Sequence, residues 1–334
     1  MDEAGFRQYL AEHKLEPEEI EQSLELMRNF DAFLSESGAD SANPTKEDVE
    51  AFSISLQQAQ LNSLENYYAL IRYGRFIKNQ TIAVGAIELV DGAEAFDNLY
   101  AKLGQQYGDA LRDEIFQGIE LPALGSPNAS KPGITYLVME RLDRMLGREN
   151  SKQLLKDCLR SLQDAYYLAD RQKYLECRDL DEFLERKGND YIIFLESLMD
   201  EGQLYFTQEI TPEVIAYVES HPEIRQGVRE GNILYETKIP CQTKQFLAET
   251  DEQQKRYAYC HCPWVRESLR SGRSDISPLF CNCSAGFHKR YWEVVLGQPL
   301  RAEVLETVLK GDERCRFAID LSPVLAAQTD KLSV

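Results

Sequence analysis

The sequence predicts an α+β protein, with helical N-terminal and middle regions and a C-terminal domain of antiparallel sheet plus one well-marked helix. Three observations predict it. Apolar residues recur at helical spacing through 1–231. From Asn232 the period changes, and Ile233-Leu234-Tyr235-Glu236-Thr237 reads as a strand. Five of the eight cysteines then fall between Cys260 and Cys315. The expected division is a helical module at 1–90, a helical connector and linker at 91–134, a helical region at 135–231, a cysteine-rich α+β domain at 232–324, and a tail at 325–334.

Pro17 suits a first helical turn, and Ile20, Leu24, Met27, Phe30 and Leu34 follow it on one face until Gly38 stops the helix. Thr45 and Asp48 form a capping box with Asp in place of Glu, opening a helix through Val49, Phe52 and Leu56. Asn62 or Ser63 can cap a third helix. Phe96, Leu99, Leu103, Leu111 and Ile115 continue the pattern. Pro122, Gly125, Pro127, Pro132 and Gly133 then mark a linker and the expected domain boundary. Helical patterns resume over 136–146, 152–168 and 180–199, with Cys158 and Cys177 as small buried apolar side chains. Thr211-Pro212 opens a further helix and His221-Pro222 a short one. In the last third the reading gives strands at 233–240 and 256–262, with a short helix between them over 243–249. Ser284 is expected to cap a helix that Gly297 ends. A final hairpin turns at Gly311-Asp312 and pairs Val308 with Cys315, Glu306 with Phe317 and Val304 with Ile319.

At 334 residues the chain can bury a sizeable core. No apolar run approaches the roughly 20 residues that span a bilayer, and the N-terminus carries no signal-peptide pattern. A cytoplasmic location is expected, and clustered thiols there suggest a metal or a reactive thiol before a disulfide. The net charge of −19 argues against a phosphate-contacting surface, so nucleic acid is not an expected partner. The charge is uneven. Residues 1–90 hold 16 acidic against 7 basic side chains, whereas 241–321 hold 11 against 12, so the C-terminal part is the better place for a small anion.

Cys260 and Cys262 lie two apart on an expected strand, which puts both thiols on one face. Cys281 and Cys283 repeat the spacing after 18 intervening residues. With Cys315 these are the candidate metal ligands, a soft donor set suited to zinc or, alternatively, an iron–sulfur cluster. Glu306 is expected on the apolar side of the hairpin, where a carboxylate needs a partner or a raised pKa. Cys283, Glu306 and His288 are the candidate catalytic residues, Cys283 because a helix N-terminus lowers a thiol's pKa. Trp264, Phe280, Phe287, Tyr291, Trp292 and Phe317 are candidate pocket aromatics, and Arg266, Arg270, Arg273, Lys289 and Arg290 are candidate carboxylate acceptors.

Phe280-Cys281-Asn282-Cys283-Ser284-Ala285-Gly286-Phe287, Gly297-Gln298-Pro299-Leu300 and Leu309-Lys310-Gly311-Asp312-Glu313-Arg314-Cys315-Arg316-Phe317 resemble the C-terminal half of the 4-vinyl reductase domain. The same phrases resemble L-2-amino-thiazoline-4-carboxylate hydrolase-like bacterial proteins. The first resemblance implies a zinc held by cysteines and a glutamate beside an aromatic pocket. Cys281 and Cys315 match two of its cysteines, the third falls at Thr307, and the glutamate falls near Val304. Phe33-Leu34, Thr45-Lys46-Glu47-Asp48-Val49 and Asn66-Tyr67-Tyr68-Ala69-Leu70-Ile71-Arg72 resemble the core-binding domain of tyrosine recombinases, although the acidic surface favours packing or partner binding over DNA.

Three functions are therefore expected, in this order: a zinc-binding, sensor-type protein taking a small aromatic or carboxylate-bearing organic ligand; a metal- or cysteine-dependent hydrolase of a small cyclic C–N substrate; and a partner-binding scaffold stapled by a structural metal. No membrane association is expected, and a homodimer is the expected assembly.

Overall fold

The computed structural model describes residues 2–157, 159–270 and 275–325. Cys158, Arg273 and the tail beyond Leu325, each named above, lie outside them. The fold is α+β, and the chain divides into two compact units, one comprising 1–93 with 120–131 and the other 94–119 with 132–334.

The first unit is helical, with α1 (Glu3–Glu12), α2 (Pro17–Ser37), α3 (Lys46–Gln58), α4 (Leu64–Phe76) and α5 (Gln80–Val90). Local chemistry sets the ends. Pro17 occupies the first turn of α2, and Gly38 closes that helix in the left-handed conformation. The Thr45–Asp48 box forms reciprocally, with Asp48 N to Thr45 Oγ1 at 3.2 Å and Thr45 N to Asp48 Oδ2 at 2.8 Å. Ser63 caps α4. Phe6, Leu24, Phe30, Phe52, Tyr67, Leu70 and Ile82 meet in one core. Residues 120–131 are not a free linker but pack into this unit. Ser53 Oγ donates to the Gly125 carbonyl at 2.7 Å, and Asn62 donates to that of Leu124 at 3.1 Å.

The second unit begins with α6 (Ala95–Tyr107) and α7 (Asp109–Phe116). It resumes with α8 (Lys131–Met145), α9 (Arg148–Leu155), α10 (Leu168–Glu176) and α11 (Leu180–Asp200). The long helix expected over 152–168 stops at Leu155, and a 3₁₀ turn covers Asp164–Tyr167. A small hairpin not anticipated from the sequence follows, β1 (Leu204–Tyr205) with β2 (Gln208–Glu209). Then come α12 (Pro212–Glu219), α13 (Pro222–Arg225), β3 (Val228–Glu230), β4 (Ile233–Thr237), α14 (Thr243–Ala248), α15 (Glu252–Tyr259), α16 (Arg266–Arg270), α17 (Asn282–Leu296), β5 (Arg301–Glu306) and β6 (Arg316–Asp320).

Among the described residues the main sheet has the order β3-β4-β6-β5, antiparallel throughout. Its registers put Leu234, Ile319 and Ala302 in one row and Glu236, Phe317 and Val304 in the next. Alternation sends these rows to the same face. That face packs on α17 through Ala285, Trp292 and Val295, and on α11 through Leu180, Phe183 and Leu184. His288 lies between Ala285 and Trp292 at helical spacing, so the helix that covers the sheet presents His288 to it.

Two sequence expectations fail here for identifiable reasons. Residues 256–262 are not a strand. Asp251 accepts from Gln253 N and Gln254 N, and the good helix formers Glu252 to Arg256 carry α15 to Tyr259. The alternation in Tyr257-Ala258-Tyr259-Cys260 is outweighed by that cap. The terminal hairpin is also out of the expected register, since Val304 pairs with Phe317 and a bulge at Leu305 brings Glu306 opposite Arg316. The connection from Thr307 to Cys315 is longer than two residues, and Asp312 Oδ2 accepts from Thr307 N at 2.8 Å.

Candidate functional site

The second unit holds two groups of buried and partly buried chemical side chains, one of thiols and one around a carboxylate. The thiol group comes from three stretches. Cys260 and Cys262 follow α15, Cys281 ends the 3₁₀ turn before α17, and Cys315 precedes β6. Cys260 is buried, and its thiol lies well above the ordinary range because of burial first and then the nearby Cys262, Cys315 and Cys281. Burial and Cys315 likewise push Cys281 far up, against a bond from Thr307. Burial raises Cys315, and the charge of Lys238 opposes it. Thr307 stands between two of them. Its hydroxyl donates to Cys281 Sγ at 2.9 Å, and Cys315 Sγ lies 4.0 Å from the same oxygen. This is where the resemblance puts a third cysteine. Thus four of the five expected ligands lie near one another, Cys260 buried and Cys262, Cys281 and Cys315 partly buried, and Cys283 stands in the first turn of α17, also partly buried. Ser284 does not cap that helix, which begins at Asn282; its hydroxyl accepts from Lys238 Nζ at 3.1 Å.

The donor chemistry suits a thiophilic ion. The donor positions do not enclose one, because among the described residues no three His, Cys, Asp or Glu side chains are grouped to hold a metal.

The second group is centred on Glu236, which sequence reasoning missed. Its carboxylate lies on the covered face of the sheet, and His288 Nδ1 is 2.8 Å from its Oε2. Lys187 Nζ, from α11, is 3.7 Å from Oε1. Burial alone would raise the Glu236 pKa, but the His288 bond and the Lys187 charge outweigh it and hold the carboxyl below its usual value. Burial pushes His288 down, against the pull of Glu236. At neutral pH the arrangement is therefore a carboxylate accepting Nδ1–H from a neutral imidazole, which leaves Nε2 as the basic nitrogen. The His288 ring packs on Phe317 at 4.6 Å, and Lys187 lies over the Trp292 and Tyr291 rings at 5.4 and 5.6 Å. The available signal was position 236 itself, two residues from Leu234 on a strand and hence on the same face.

The other predicted site residues are placed differently from expectation. Glu306 is not a carboxylate on the apolar face. After the bulge it forms a two-point pair with Arg314 at 2.9 and 3.0 Å and is part-exposed. Cys283 and His288 are five apart on one helix, so they point in different directions and do not form a catalytic pair. Trp264 and Phe280 pack against Phe96 with tilted rings, centroids 4.2 and 5.6 Å away, and with Trp292 and Phe317 they are core rather than pocket wall. The cations are committed: Arg266 packs on Tyr257 at 4.4 Å, Arg270 pairs with Glu267 at 2.7 Å, Lys289 with Glu293 at 3.4 Å, and Arg290 with Asp164. A surface hollow of about 520 Å³ is lined by Tyr136, Glu140, Asp143, Arg144, Arg148, Asp275 and Ser277, none of them a predicted site residue. Among the described residues no helix is long and apolar enough to cross a membrane.

Comparison with known proteins returns no match to a family model, to a curated protein or to a solved structure, so the resemblances to 4-vinyl reductase, thiazoline-carboxylate hydrolase-like and recombinase core-binding proteins rest on the quoted residues alone.

Proposed function

We propose that this chain is a cytoplasmic zinc-binding protein of the sensor type, with the thiols of its second unit as the metal site and a small aromatic or carboxylate-bearing organic molecule as its ligand. The observation that carries the reading is the proximity of Cys260, Cys262, Cys281 and Cys315, with Cys260 buried and the other three partly buried. Neutral thiols buried together resist ionisation, and a soft divalent cation reverses that by taking the sulfurs as thiolates and releasing their protons. Loading requires the thiols to turn toward a common point that they do not share at present. Lys187, Glu236 and His288 supply a cation, an acceptor and an imidazole beside aromatic rings, the groups that would orient a small polar ligand.

The test is metal analysis of protein purified without added metal, comparing the natural chain with Cys281→Ser and Cys315→Ser. Zinc at about one per chain, lost in both variants, supports the reading. A brown protein containing iron and sulfide would replace zinc by an iron–sulfur cluster. Metal-free protein that also refuses added zinc would overturn the proposal.

The hydrolase reading keeps one specific support, the neutral His288 oriented through Nδ1 by a buried carboxylate, which is how a general base is held. It predicts turnover of a small cyclic C–N substrate that disappears in His288→Gln, and turnover unaffected by that change would remove it.

A further inference from the structure

A surface that uses neither the clustered thiols nor Glu236 lies on the C-terminal half of α11 and the β1–β2 turn. Leu195 and Leu198 pack into a core with Val214 and Val218, so this half of α11 is anchored from behind. Its outward side chains are apolar where polar ones are expected: Ile193 is 63% and Phe194 45% exposed. Phe194 meets the Tyr205 ring edge-on at 6.1 Å, and Tyr205 meets Phe206 edge-on at 4.7 Å, so the aromatic surface runs on from helix to turn. Phe206 is 59% exposed, and its ring also meets His261 edge-on at 6.4 Å. It takes the first position of the two-residue turn that closes the Tyr205–Gln208 pair, at φ +55. Hairpins of this length favour Gly, Asn or Asp there, and a bulky side chain in that left-handed conformation is strained. The fold thus keeps an aromatic ring in water against the preference of its own backbone.

The rim of this surface has one sign. Residues 188–224 contain no lysine or arginine and eight acidic side chains. On α11 the spacing 193, 196, 200 sets Glu196 and Asp200 along the same side as Ile193. Asp190, one turn before Phe194, pairs with Lys173 at 2.7 Å, and Glu209 reaches Lys244 at 3.9 Å. Glu196, Asp200 and Glu201 have no ion pair among the described residues. We propose that this face docks another protein through a cationic amphipathic segment, which sets apolar side chains on Ile193, Phe194 and Phe206 and lysines or arginines against Glu196, Asp200 and Glu201. The sign of the rim selects that occupant. Nucleic acid and an anionic bilayer surface bring the same charge and are repelled. A second copy seated on this face would set acid against acid. A basic segment gains where these lose, and the exposed aromatic and aliphatic side chains supply its anchors. The face includes none of the thiols, so it is independent of the metal site.

The experiment measures, by fluorescence anisotropy, binding of the full-length chain to a labelled synthetic amphipathic helix of leucine and lysine about 18 residues long. The leucine–glutamate peptide of the same pattern is the control. The lysine peptide should bind saturably at about one per chain, and the glutamate peptide should not bind. Phe206→Gly should weaken binding about tenfold, while the melting temperature holds or rises because glycine suits the left-handed turn. A merely structural Phe206 would not give that split. Ile193→Ser should weaken binding comparably, and Glu196→Lys with Asp200→Lys should weaken it and flatten its salt dependence. Glu12→Lys with Glu36→Lys, the same charge change at the ends of α1 and α2, should leave affinity within about twofold at roughly 0.15 M salt, where distant charges are screened. Thermal melts establish that each variant is folded. Absence of saturable binding, equal binding of the glutamate peptide, unchanged affinity in folded Phe206→Gly and Ile193→Ser, or an equal loss in the α1–α2 variant would overturn the proposal. So would a dimer in sedimentation that Ile193→Ser dissolves, which would assign the face to a second copy.

Discussion

Glu236 and His288 make the chain's acid sensitivity a property of individual residues. His288 binds its proton less readily folded than unfolded, because burial holds its pKa below the ordinary value. Protonation below about pH 6.5 therefore favours the unfolded chain. Glu236 acts in the same sense at lower pH, since its depressed pKa contributes stability that is lost as pH falls through the carboxylate range. Melting temperature should fall between pH 7.5 and 5, and His288→Gln should flatten that fall; an unchanged slope would contradict the assignment. Glu236→Gln leaves Lys187 without its carboxylate and should destabilise by about 3 kcal/mol in denaturant unfolding at pH 7. Glu306→Gln, by contrast, loses only a part-exposed pair with Arg314 and should cost less than about 1 kcal/mol. A larger loss there would mean that Glu306 does more than pair. The contrast explains what was legible at this scale. A regular two-residue hairpin would aim Glu306 at the core, but the bulge at Leu305 reverses the alternation. Glu236 is less legible, because its partners arrive from α11 and α17, far away in sequence.

Elements were legible where their signals are local. Pro17, Gly38, the Thr45–Asp48 box, Ser63 and Gly297 all end helices where the residue chemistry says they should. Thr45→Ala should accordingly cost about 1 kcal/mol in thermal or denaturant unfolding. The failures come from tertiary partners. Residues 120–131 look like a linker by composition, yet they are fastened to the first unit through Gly125, which sits at φ +85 with the Tyr67 hydroxyl where a Cβ would go. Gly125→Ala must displace Tyr67 and break its 2.6 Å bond with Ser53, so it should lower the melting temperature markedly, while Gly38→Ala, with open space around it, should have a smaller effect. Equal effects would contradict that fastening. The 256–262 segment was misread because period-two patterning competed with an Asp cap and a run of helix formers, and the cap prevailed.

At the scale of the whole molecule, the cysteine distribution carried more information than any motif. It directed attention to 260–315, and the fold gathers four of those five thiols although the strand expected to align two of them is absent. What the spacing could not convey is that the side chains come near one another without closing on one point. The measurement that tests the central proposal most directly is cobalt titration of the reduced, metal-free chain, followed by displacement with zinc. The account predicts an intense thiolate-to-cobalt absorption that saturates at about one ion per chain, is abolished by zinc, and is lost in Cys281→Ser and Cys315→Ser. Cobalt that leaves the spectrum of the natural chain unchanged, or gives the same thiolate band in both variants, would contradict it.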